Sequence, residues 1–386
     1  MTVTAKRYAN KPRPTALKTI QAKFTAMRKD MAASLIEREG EVDVVLTAML
    51  CGEHVNLVGP PGTAKSLLLD TLMKWVVAEK TKSVDTLTKY VALLTKHTNP
   101  EEVFGPVSVK GLKCDEYRRI TTNRLPEADL AFLDEIYKAG PAILNTLLRV
   151  LNERQYDNGA GGLINCPLML CVAASNEWPN DQEGGKELGA LFDRFLFRKV
   201  VRAVSKSGRR RLLRSEHLEP TLSTTITRTE IEAAQQQAAS MSVSDAAWKT
   251  LDDILDALND EGIFPGDRRM RKSVSAMKAF AYLNGATEVE PEHLEILAHV
   301  LWDDPQEQPE TCAKIVVRLS NPEAARVNEL LVQVTDVLAK STPTEAVPKL
   351  QSIKREMAQM GSDRAVEASN YIGQEIKRLY DCVIGA

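Results

Sequence analysis

Short apolar runs alternate with helical stretches through residues 1–204 of the chain. Apolar residues recur at helical spacing from Thr15 to about Gly52, and short apolar runs follow. Runs of this length between helices are typical of buried strands in a parallel sheet that is covered on both faces. The pattern therefore predicts an α/β sandwich with five strands at Val55–Val58, Tyr90–Leu94, Leu130–Leu133, Leu168–Ala174 and Phe197–Val201.

The pattern becomes helical without strand runs after about residue 205. Residues 205–304 carry four capped helical stretches, which predict a second, all-helical domain: Ile231–Met241, Ala246–Asn259, Arg269–Tyr282 and Pro291–Leu301. Two prolines in Asp303–Pro309 predict a linker. Three more helical runs predict a small helical bundle over residues 305–386, at Glu323–Lys340, Thr344–Met360 and Asp363–Ile384.

Composition narrows the class of protein. The chain has 386 residues, 44% of them hydrophobic and 26% charged, with a net charge of −2 that gives no overall attraction to nucleic acid. No run approaches the ~18–20 apolar residues that cross a bilayer, and the basic N-terminus has no apolar signal region. Six cysteines at no zinc-binding spacing predict structural thiols in a reducing, cytoplasmic compartment.

A glycine-rich loop after the first apolar run is the strongest candidate for chemistry. A strand–loop–helix of this kind presents backbone N–H groups to a phosphate, although a chance glycine-rich turn is the alternative. We expect Lys65 to reach the β- and γ-phosphates of ATP and the Ser66 hydroxyl to bind Mg²⁺. Alanine replaces the usual glycine at position 64, so we expect a slightly tighter loop. The loop consists of Gly59, Pro60, Pro61, Gly62, Thr63, Ala64, Lys65 and Ser66, followed by Leu67.

Polar residues follow two further apolar runs. Asp134 and Glu135 come directly after Leu130–Leu133, where Asp134 would hold Mg²⁺ through water and Glu135 would act as general base. The alternative is a surface pair in which Glu135 caps a helix. Asn176 follows the next run and would orient the attacking water or contact the γ-phosphate, although Ser-Asn-Glu is also ordinary turn chemistry.

Two segments contain candidate arginines. One lies near the end of the first predicted domain, and the other lies in the second predicted domain. Arg194 stands among aromatic residues, where it would either pair locally or reach the γ-phosphate of a neighbouring subunit, with Arg198 as the reserve. A basic cluster from Asp267 to Lys272 starts a helix. One arginine of this cluster would fold over the nucleotide. The alternative is that the cluster forms a solvent-exposed helix face with no ligand.

With these residues in place, the sequence resembles the MoxR family of AAA+ ATPases and, within it, the RavA-like branch. The resemblance is dense from Gly52 to Asp304 and implies a five-stranded P-loop αβα core, an all-helical lid and a terminal three-helix region. It implies Lys65 and Ser66 in the phosphate loop, Asp134 and Glu135 as the acidic pair and Asn176 as the first sensor. It also implies Arg194 as the arginine finger and Arg268 as the second sensor, with Arg269 as the alternative. The segments that carry it are Pro100–Pro106, Leu125–Glu135, Lys138–Leu148, Asn152–Gln155, Ala173–Glu177, Asp193-Arg194 and Asp267–Arg269.

The same resemblance implies two insertions in the sandwich. In the first, about 102–126, we expect Val107–Lys113 to pair with Tyr117–Thr122 as a hairpin. In the second, about 154–167, we expect a hairpin with the glycines of Asn158–Gly162 at its tip. Both would face the central channel or upper surface of a ring, although idle surface loops are the alternative. Because residues 309–386 are enough only for three helices, we expect no inserted partner-binding domain.

The expected function is therefore ATP hydrolysis in a homo-oligomeric, hexameric ring that remodels a protein partner. The resemblance implies a partner with a von Willebrand factor A (vWA) domain. A nucleic-acid translocase or sensor is the alternative, since residues 1–31 carry eight cations against one carboxylate and Arg209–Arg211 adds a second basic run. A nucleotide-stabilised scaffold with negligible turnover is the third hypothesis.

Overall fold

The computed structural model describes residues 14–78, 87–178, 185–214 and 221–384. It divides the chain into two compact units. The first comprises Met1–Val243, Pro265–Val289 and His299–Pro305, and the second comprises Ser244–Phe264, Glu290–Ala298 and Gln306–Ala386.

A five-stranded parallel sheet forms the centre of the first unit. Its strand order is β2-β3-β4-β1-β5, so β4 lies between β3 and β1, and β1 lies between β4 and β5. The central strands are buried along almost their whole length, as expected of a sheet covered on both faces. The predicted α/β fold with five strands is confirmed. The strands are β1 (Val55–Val58), β2 (Lys89–Leu93), β3 (Leu130–Asp134), β4 (Leu170–Ser175) and β5 (Phe197–Val200).

Ten labelled helices belong to the described part of the first unit. Helix α11 packs against α2 and α9, and Phe24 of α1 makes edge-to-face contacts with Trp75 and Tyr282. The helices are α1 (Pro14–Ser34), α2 (Glu39–Cys51), α3 (Lys65–Trp75), α4 (Pro100–Phe104), α5 (Val109–Leu112), α6 (Pro141–Glu153), α7 (Gly185–Phe192), α8 (Lys206–Arg214), α9 (Arg228–Ala239) and α11 (Asp267–Leu283). Helix α10 (Asp245–Asp260) lies in the second unit.

Four more helices of the second unit follow one another along the chain. They are α12 (Gln308–Ser320), α13 (Pro322–Lys340), α14 (Pro343–Met357) and α15 (Asp363–Ile384). Side chains of α13, α14 and α15 share one apolar core, which is the predicted helical bundle. Helix α12 begins inside the segment that the two prolines marked as a linker, so four helices occupy the stretch in which three were expected.

The first insertion differs from its prediction. Residues 109–112 are helical, and only Val107 and Arg119 form an antiparallel bridge, so the expected hairpin is reduced to its base. Ser108 explains the difference because its hydroxyl accepts from the N–H of Gly111 and caps the short helix. The second insertion forms the predicted hairpin, with Gln155–Asp157 antiparallel to Leu163–Asn165 and a 3₁₀ turn at Gly159–Gly161.

The second predicted domain also contains short strands. Ser242–Val243 and Glu288–Val289 form one two-residue parallel ladder, and Ile226–Thr227 belongs to a second. Strands of two residues are too short to leave a periodic signal. The expected helix at Pro291–Leu301 is a 3₁₀ helix at Pro291–His299, and 3₁₀ turns also occur at Leu125–Glu127 and Ile136–Lys138. Val76–Val77 completes the ladder with Ile226–Thr227.

The structure bears on the expectations about membrane-spanning helices and cysteine thiols. Within the described ranges, no helix is both long and apolar enough to cross a bilayer. Cys166, Cys171 and Cys312 are buried free thiols, and Cys51 and Cys114 are also free. The side chain of Cys382 and the basic residues among 1–13 lie outside the described residues.

Candidate nucleotide site

The glycine-rich loop joins the buried strand β1 to helix α3. Gly59 lies so close to the backbone of Val201 that a Cβ would meet its carbonyl oxygen at 2.1 Å, so glycine is required there. Gly62 and Ala64 both have positive φ, at 76° and 64°. Helix α3 starts at Lys65 without a side-chain cap, which leaves the N–H groups of its first turn, including that of Leu67, available to an anion.

Lys65 lies over this loop. Its Nζ donates to the carbonyl oxygens of Gly59 and Pro60 at 2.7 and 3.0 Å. The Nζ also lies 3.3 Å from the side-chain oxygen of Asn176. Burial lowers the pKa of the Lys65 ammonium, while the charges of Asp134 and Glu135 act in the opposite direction. The ammonium is therefore held between the phosphate loop and the acidic pair.

Arg38 supports the loop from the other side and was not identified from the sequence. Its Nε donates to the carbonyl oxygen of Thr63 at 3.0 Å, and its Nη2 donates to that of Arg202 at 2.8 Å. The Thr63 hydroxyl in turn donates to the carbonyl oxygen of Pro60 at 2.9 Å. Arg38 is buried, so this guanidinium fixes the loop backbone and adds positive charge beside the candidate phosphate site.

The acidic pair stands at the end of strand β3. Burial is the main cause that raises the pKa of the Asp134 carboxyl, and its Oδ1 accepts from the N–H of Glu135 at 3.0 Å. Glu135 has a left-handed backbone, with φ 53°, and its side chain is buried. Non-glycine residues in this region store roughly 1–3 kcal/mol and cluster at functional sites. Glu135 is the N-cap residue of a 3₁₀ turn but makes no side-chain capping bond.

Asn176 connects the two halves of the site. It follows β4, which lies between β3 and β1 in the sheet. Its Nδ2 donates to Glu135 Oε1, and its Oδ1 accepts from Lys65 at 3.3 Å. The three residues singled out from separate parts of the sequence therefore form one continuous chain of polar contacts.

The donor set suits a phosphate with magnesium. Glu135 Oε2 is buried and accepts no hydrogen bond, although the ammonium of Lys138 lies 3.3 Å away. Ser66 is exposed beside the loop, and Asp134 is half-buried at the strand end. In the part of the chain that the structure describes, no three His, Cys, Asp or Glu side chains converge into a metal site. Proteins usually hold Mg²⁺ with one or two side chains plus phosphate oxygens and water, and Ser66 and Asp134 could supply those side chains.

Two of the candidate arginines have structural partners. Arg269 is buried and donates to the carbonyl oxygens of Leu196 and Val300 at 3.0 and 2.9 Å. Arg198 is 1% exposed and lies over the ring of Phe192, and burial is the main cause that lowers its pKa to about 10. Both guanidinium groups face the carboxylate of Asp193. Arg198 is therefore unsuited to the reserve role that the sequence left open.

Arg194 and Arg268 remain more accessible. Arg194 is paired with Asp193 at 3.3 Å, and Arg268 is exposed and donates to the side chain of Asn152. Arg268 is thus the more accessible of the two residues that the sequence left open for the second sensor, and that role stays a prediction. Both arginines line one small cavity. Its lining residues are Asp193, Arg194, Leu196, Arg268, Arg269 and Lys272.

The arginine-lined cavity lies at the amino-terminal ends of the strands, whereas the phosphate loop lies at their carboxyl-terminal ends. Lys272 pairs at 2.6 Å with Glu53, which precedes β1, and Arg269 bonds Leu196, which precedes β5. The phosphate loop instead follows the end of β1. Four residues at ~3.3 Å each make β1 roughly 13 Å long. The two groups of residues are therefore separated by the length of the strand.

A family model for the MoxR domain of MoxR–vWA–β-propeller ternary systems matches residues 22–241, more than half of the chain. The chain belongs to the MoxR family of AAA+ ATPases. A model of an AAA lid domain matches residues 225–316. Membership of this family supports ATP hydrolysis as the general activity and a nucleotide as the ligand.

Relatives of this MoxR protein occur in archaea and in a virus. One uncharacterised protein of Methanocaldococcus jannaschii is 40% identical over 288 residues, which are 74% of this chain and 71% of that protein. A second from the same organism is 38% identical over 285 residues, 73% and 72% of the two chains. A structural protein of Acidianus two-tailed virus is 30% identical over 186 residues, 48% of this chain and 29% of that one.

A solved structure shares the fold of this MoxR protein. It is from Cytophaga hutchinsonii and is described as a candidate ATPase. It superposes with a TM-score of 0.59 at 18% identity and covers 79% of this chain and 96% of its own. At that identity the likeness supports the AAA+ fold alone.

Proposed function

We propose that this MoxR protein hydrolyses ATP with Mg²⁺ at the site formed by the ends of β1, β3 and β4. Lys65 and the N–H groups of the loop bind the β- and γ-phosphates, and Ser66 and Asp134 hold the metal, which would neutralise phosphate charge. Glu135 accepts a proton from the attacking water, and Asn176 orients Glu135. The observation that carries the proposal is the contact of Asn176 with both Lys65 and Glu135.

Replacing Glu135 with glutamine tests this assignment. Glu135→Gln keeps the shape of the side chain but cannot accept the proton, so we expect turnover to fall at least ~100-fold while ATP affinity stays within about threefold. The matched control is Glu153→Gln at the exposed end of α6, which should hydrolyse ATP at the wild-type rate. Equal slow turnover of wild type and Glu135→Gln would instead favour the nucleotide-stabilised scaffold.

We further propose that a second copy of the chain completes each nucleotide site. Arg194 and Arg268 lie at the edge of the sheet where β1 begins, whereas Lys65 lies where β1 ends. One chain therefore presents its phosphate loop at one edge and its accessible arginines at the other. Head-to-tail association brings Arg194 of one subunit to the γ-phosphate of the next and closes into a ring, for which we infer six subunits.

Mixing two inactive variants tests the shared site. Arg194→Ala should retain ATP binding and lose most hydrolysis, and Lys65→Ala should lose binding. In a random mixture, about a quarter of the interfaces combine an intact loop with an intact arginine, so about that share of wild-type activity should return. Mixed rings that form without any recovered activity would contradict the trans role of Arg194.

The work done by hydrolysis is proposed to be remodelling of a protein partner. The matching family model is named for systems that contain a vWA protein, which supports a vWA-domain partner for this chain. We expect a vWA protein from the same gene neighbourhood to be retained by the Glu135→Gln variant with Mg-ATP and to be released by wild type. Retention that is independent of nucleotide would contradict an ATP-driven cycle. Placement in the RavA-like branch and the boundaries at 204 and 304 stay predictions.

The nucleic-acid alternative has one supporting observation, which is the exposure of Arg209–Arg211 on α8. Two of the cations counted in the basic N-terminal segment are already paired, Lys23 with Glu230 and Arg28 with Asp43. Binding of DNA or RNA that weakens steeply with salt would favour this alternative. We expect no such binding at low salt.

A further inference from the structure

Helix α8 presents a basic face whose charges have no ion-pair partners among the described residues. The helix carries five cations and no carboxylate. Gly208 is seated against Glu37, since a Cβ there would meet the carboxylate at 2.4 Å. At ~100° per residue, the positions opposite Gly208 are Lys206, Arg210, Leu213 and Arg214. All four are exposed, and Leu213 is 80% exposed.

Helix α10, in the second unit, has the opposite character. One face is buried through Ala247, Leu251, Ile254 and Leu258. The other face is exposed and acidic, and throughout the described ranges none of its carboxylates has an ion-pair partner. Trp248 lies on this acidic face and is 42% exposed. The residues of the face are Asp245, Trp248, Lys249, Asp252, Asp256 and Asp260, so one lysine stands among four carboxylates.

The charges on the two faces have the same spacing. Lys206, Arg210 and Arg214 follow one another at intervals of four residues. Asp252, Asp256 and Asp260 do the same on α10. At ~1.5 Å per residue each row is ~12 Å long. We propose that α8 of one copy of this chain docks on α10 of a second copy, with three ion pairs and with Leu213 near Trp248.

A second copy is the occupant because the same chain carries both complementary faces. Each subunit would give α8 to one neighbour and receive the other neighbour's α8 on α10, which is a head-to-tail contact that can close a ring. An exposed leucine and tryptophan between the charges suit a protein interface, where aromatic residues are enriched and supply binding energy. The inference rests on the proposed ring and identifies one of its contacts.

Charge reversal in two separate chains tests the contact. The first variant combines Lys206→Glu, Arg210→Glu and Arg214→Glu, and the second combines Asp252→Lys, Asp256→Lys and Asp260→Lys. Each alone should weaken Mg-ATP-dependent assembly at least roughly tenfold in sedimentation velocity, because like charges then face each other. An equimolar mixture should assemble again, since each reversed face meets the complementary reversed face only on the other variant.

A matched control separates this effect from net charge. Lys314→Glu, Lys349→Glu and Lys377→Glu change the net charge by the same amount as the α8 variant, at exposed positions on α12, α14 and α15, and should assemble as wild type does. At protein concentrations too low for assembly, all variants should bind Mg-ATP with wild-type affinity, and all should keep wild-type helix content. Single variants that assemble normally, or a mixture that stays dissociated, would overturn the docking inference alone. If wild type itself does not assemble, both the ring and this contact are wrong. Salt-sensitive binding of wild type to DNA that only the α8 variant loses would assign α8 to nucleic acid.

Discussion

Asn176 makes the contact on which the proposed chemistry depends most directly, and Asn176→Ala removes it. Its amide donates to Glu135 Oε1 and accepts from Lys65 at 3.3 Å. Glu135 Oε2 already accepts no hydrogen bond, so the substitution leaves the carboxylate without the amide donor that follows β4, while the ammonium of Lys138 stays 3.3 Å from Oε2. The ammonium of Lys65 keeps its two carbonyl partners in the loop. The loss therefore falls on the candidate base and much less on the phosphate-binding lysine.

The size of the effect follows from these two contacts. A hydrogen bond to a charged group contributes ~1.5–3 kcal/mol, which corresponds to a fall in kcat of roughly 10- to 100-fold if the bond orients the base in the transition state. The contact with Lys65 is long, at 3.3 Å, and hydrogen bonds weaken at that length. We therefore expect the Kd for Mg-ATP to change less than about fivefold.

The assay is steady-state ATP hydrolysis at saturating Mg-ATP, with Kd measured separately by a fluorescent ATP analogue. Glu177→Gln is the matched control, because Glu177 is exposed next to Asn176 and should hydrolyse ATP normally. In the Glu135→Gln background, adding Asn176→Ala should change the residual rate little, since the two residues act as one unit. Unchanged kcat, or a 100-fold loss of affinity with kcat intact, would refute the orienting role.

Two further predictions concern the scaffold around the site. Ala64→Gly relieves a left-handed alanine that costs ~1 kcal/mol or more but adds ~0.4–1 kcal/mol of unfolded-state entropy, so stability should rise by about 0–1 kcal/mol, with ATP affinity unchanged. A loss of affinity would show that the methyl group is needed. Burial and Arg154 hold the pKa of His54 well below its usual value, so His54 stays neutral when the unfolded chain takes up a proton below pH ~6.5. The free energy of unfolding should therefore fall as the pH is lowered from ~6.5 to 5. His54→Gln should lessen this dependence by up to ~1.4 kcal/mol per pH unit, measured by urea titration at each pH. The same pH dependence in wild type and variant would contradict the prediction.

The candidate nucleotide site could be predicted from the sequence because its residues occur at the ends of recognisable apolar runs. Lys65, Asp134 and Asn176 each follow such a run, and parallel strands bring those ends to one edge of the sheet. Arg38 left no comparable signal. It precedes α2 at a distance of 27 residues from Lys65, and its contact with the carbonyl oxygen of Thr63 depends on how α2 meets the loop.

Other differences arose where local and long-range forces compete. Apolar and polar residues alternate weakly in Val107–Lys113, which is compatible with a strand, but the Ser108 cap favours one helical turn. Helix α12 was missed because its proline stands at the first turn, where proline starts a helix as readily as it marks a linker. The choice between Arg268 and Arg269 could not be made from adjacent residues of the same type. Only burial of one side chain against Leu196 separates them.

The arginine edge of the sheet has a physical consequence for coupling between subunits. The carboxylate of Asp193 faces Arg198 of β5 and Arg269 of α11, and Asp303 pairs with both guanidinium groups. Both guanidinium groups are buried, whereas the two carboxylates are about half exposed and partly screened by water. Separating them would still leave a buried guanidinium without its ionic partner, so we expect these residues to move together. Arg194 is bonded to the same Asp193. A displacement of α11 would therefore be transmitted through Asp193 to the arginine proposed to enter the neighbouring site. If Arg194 acts in trans as proposed, the position of α11 in one subunit would influence hydrolysis in the next.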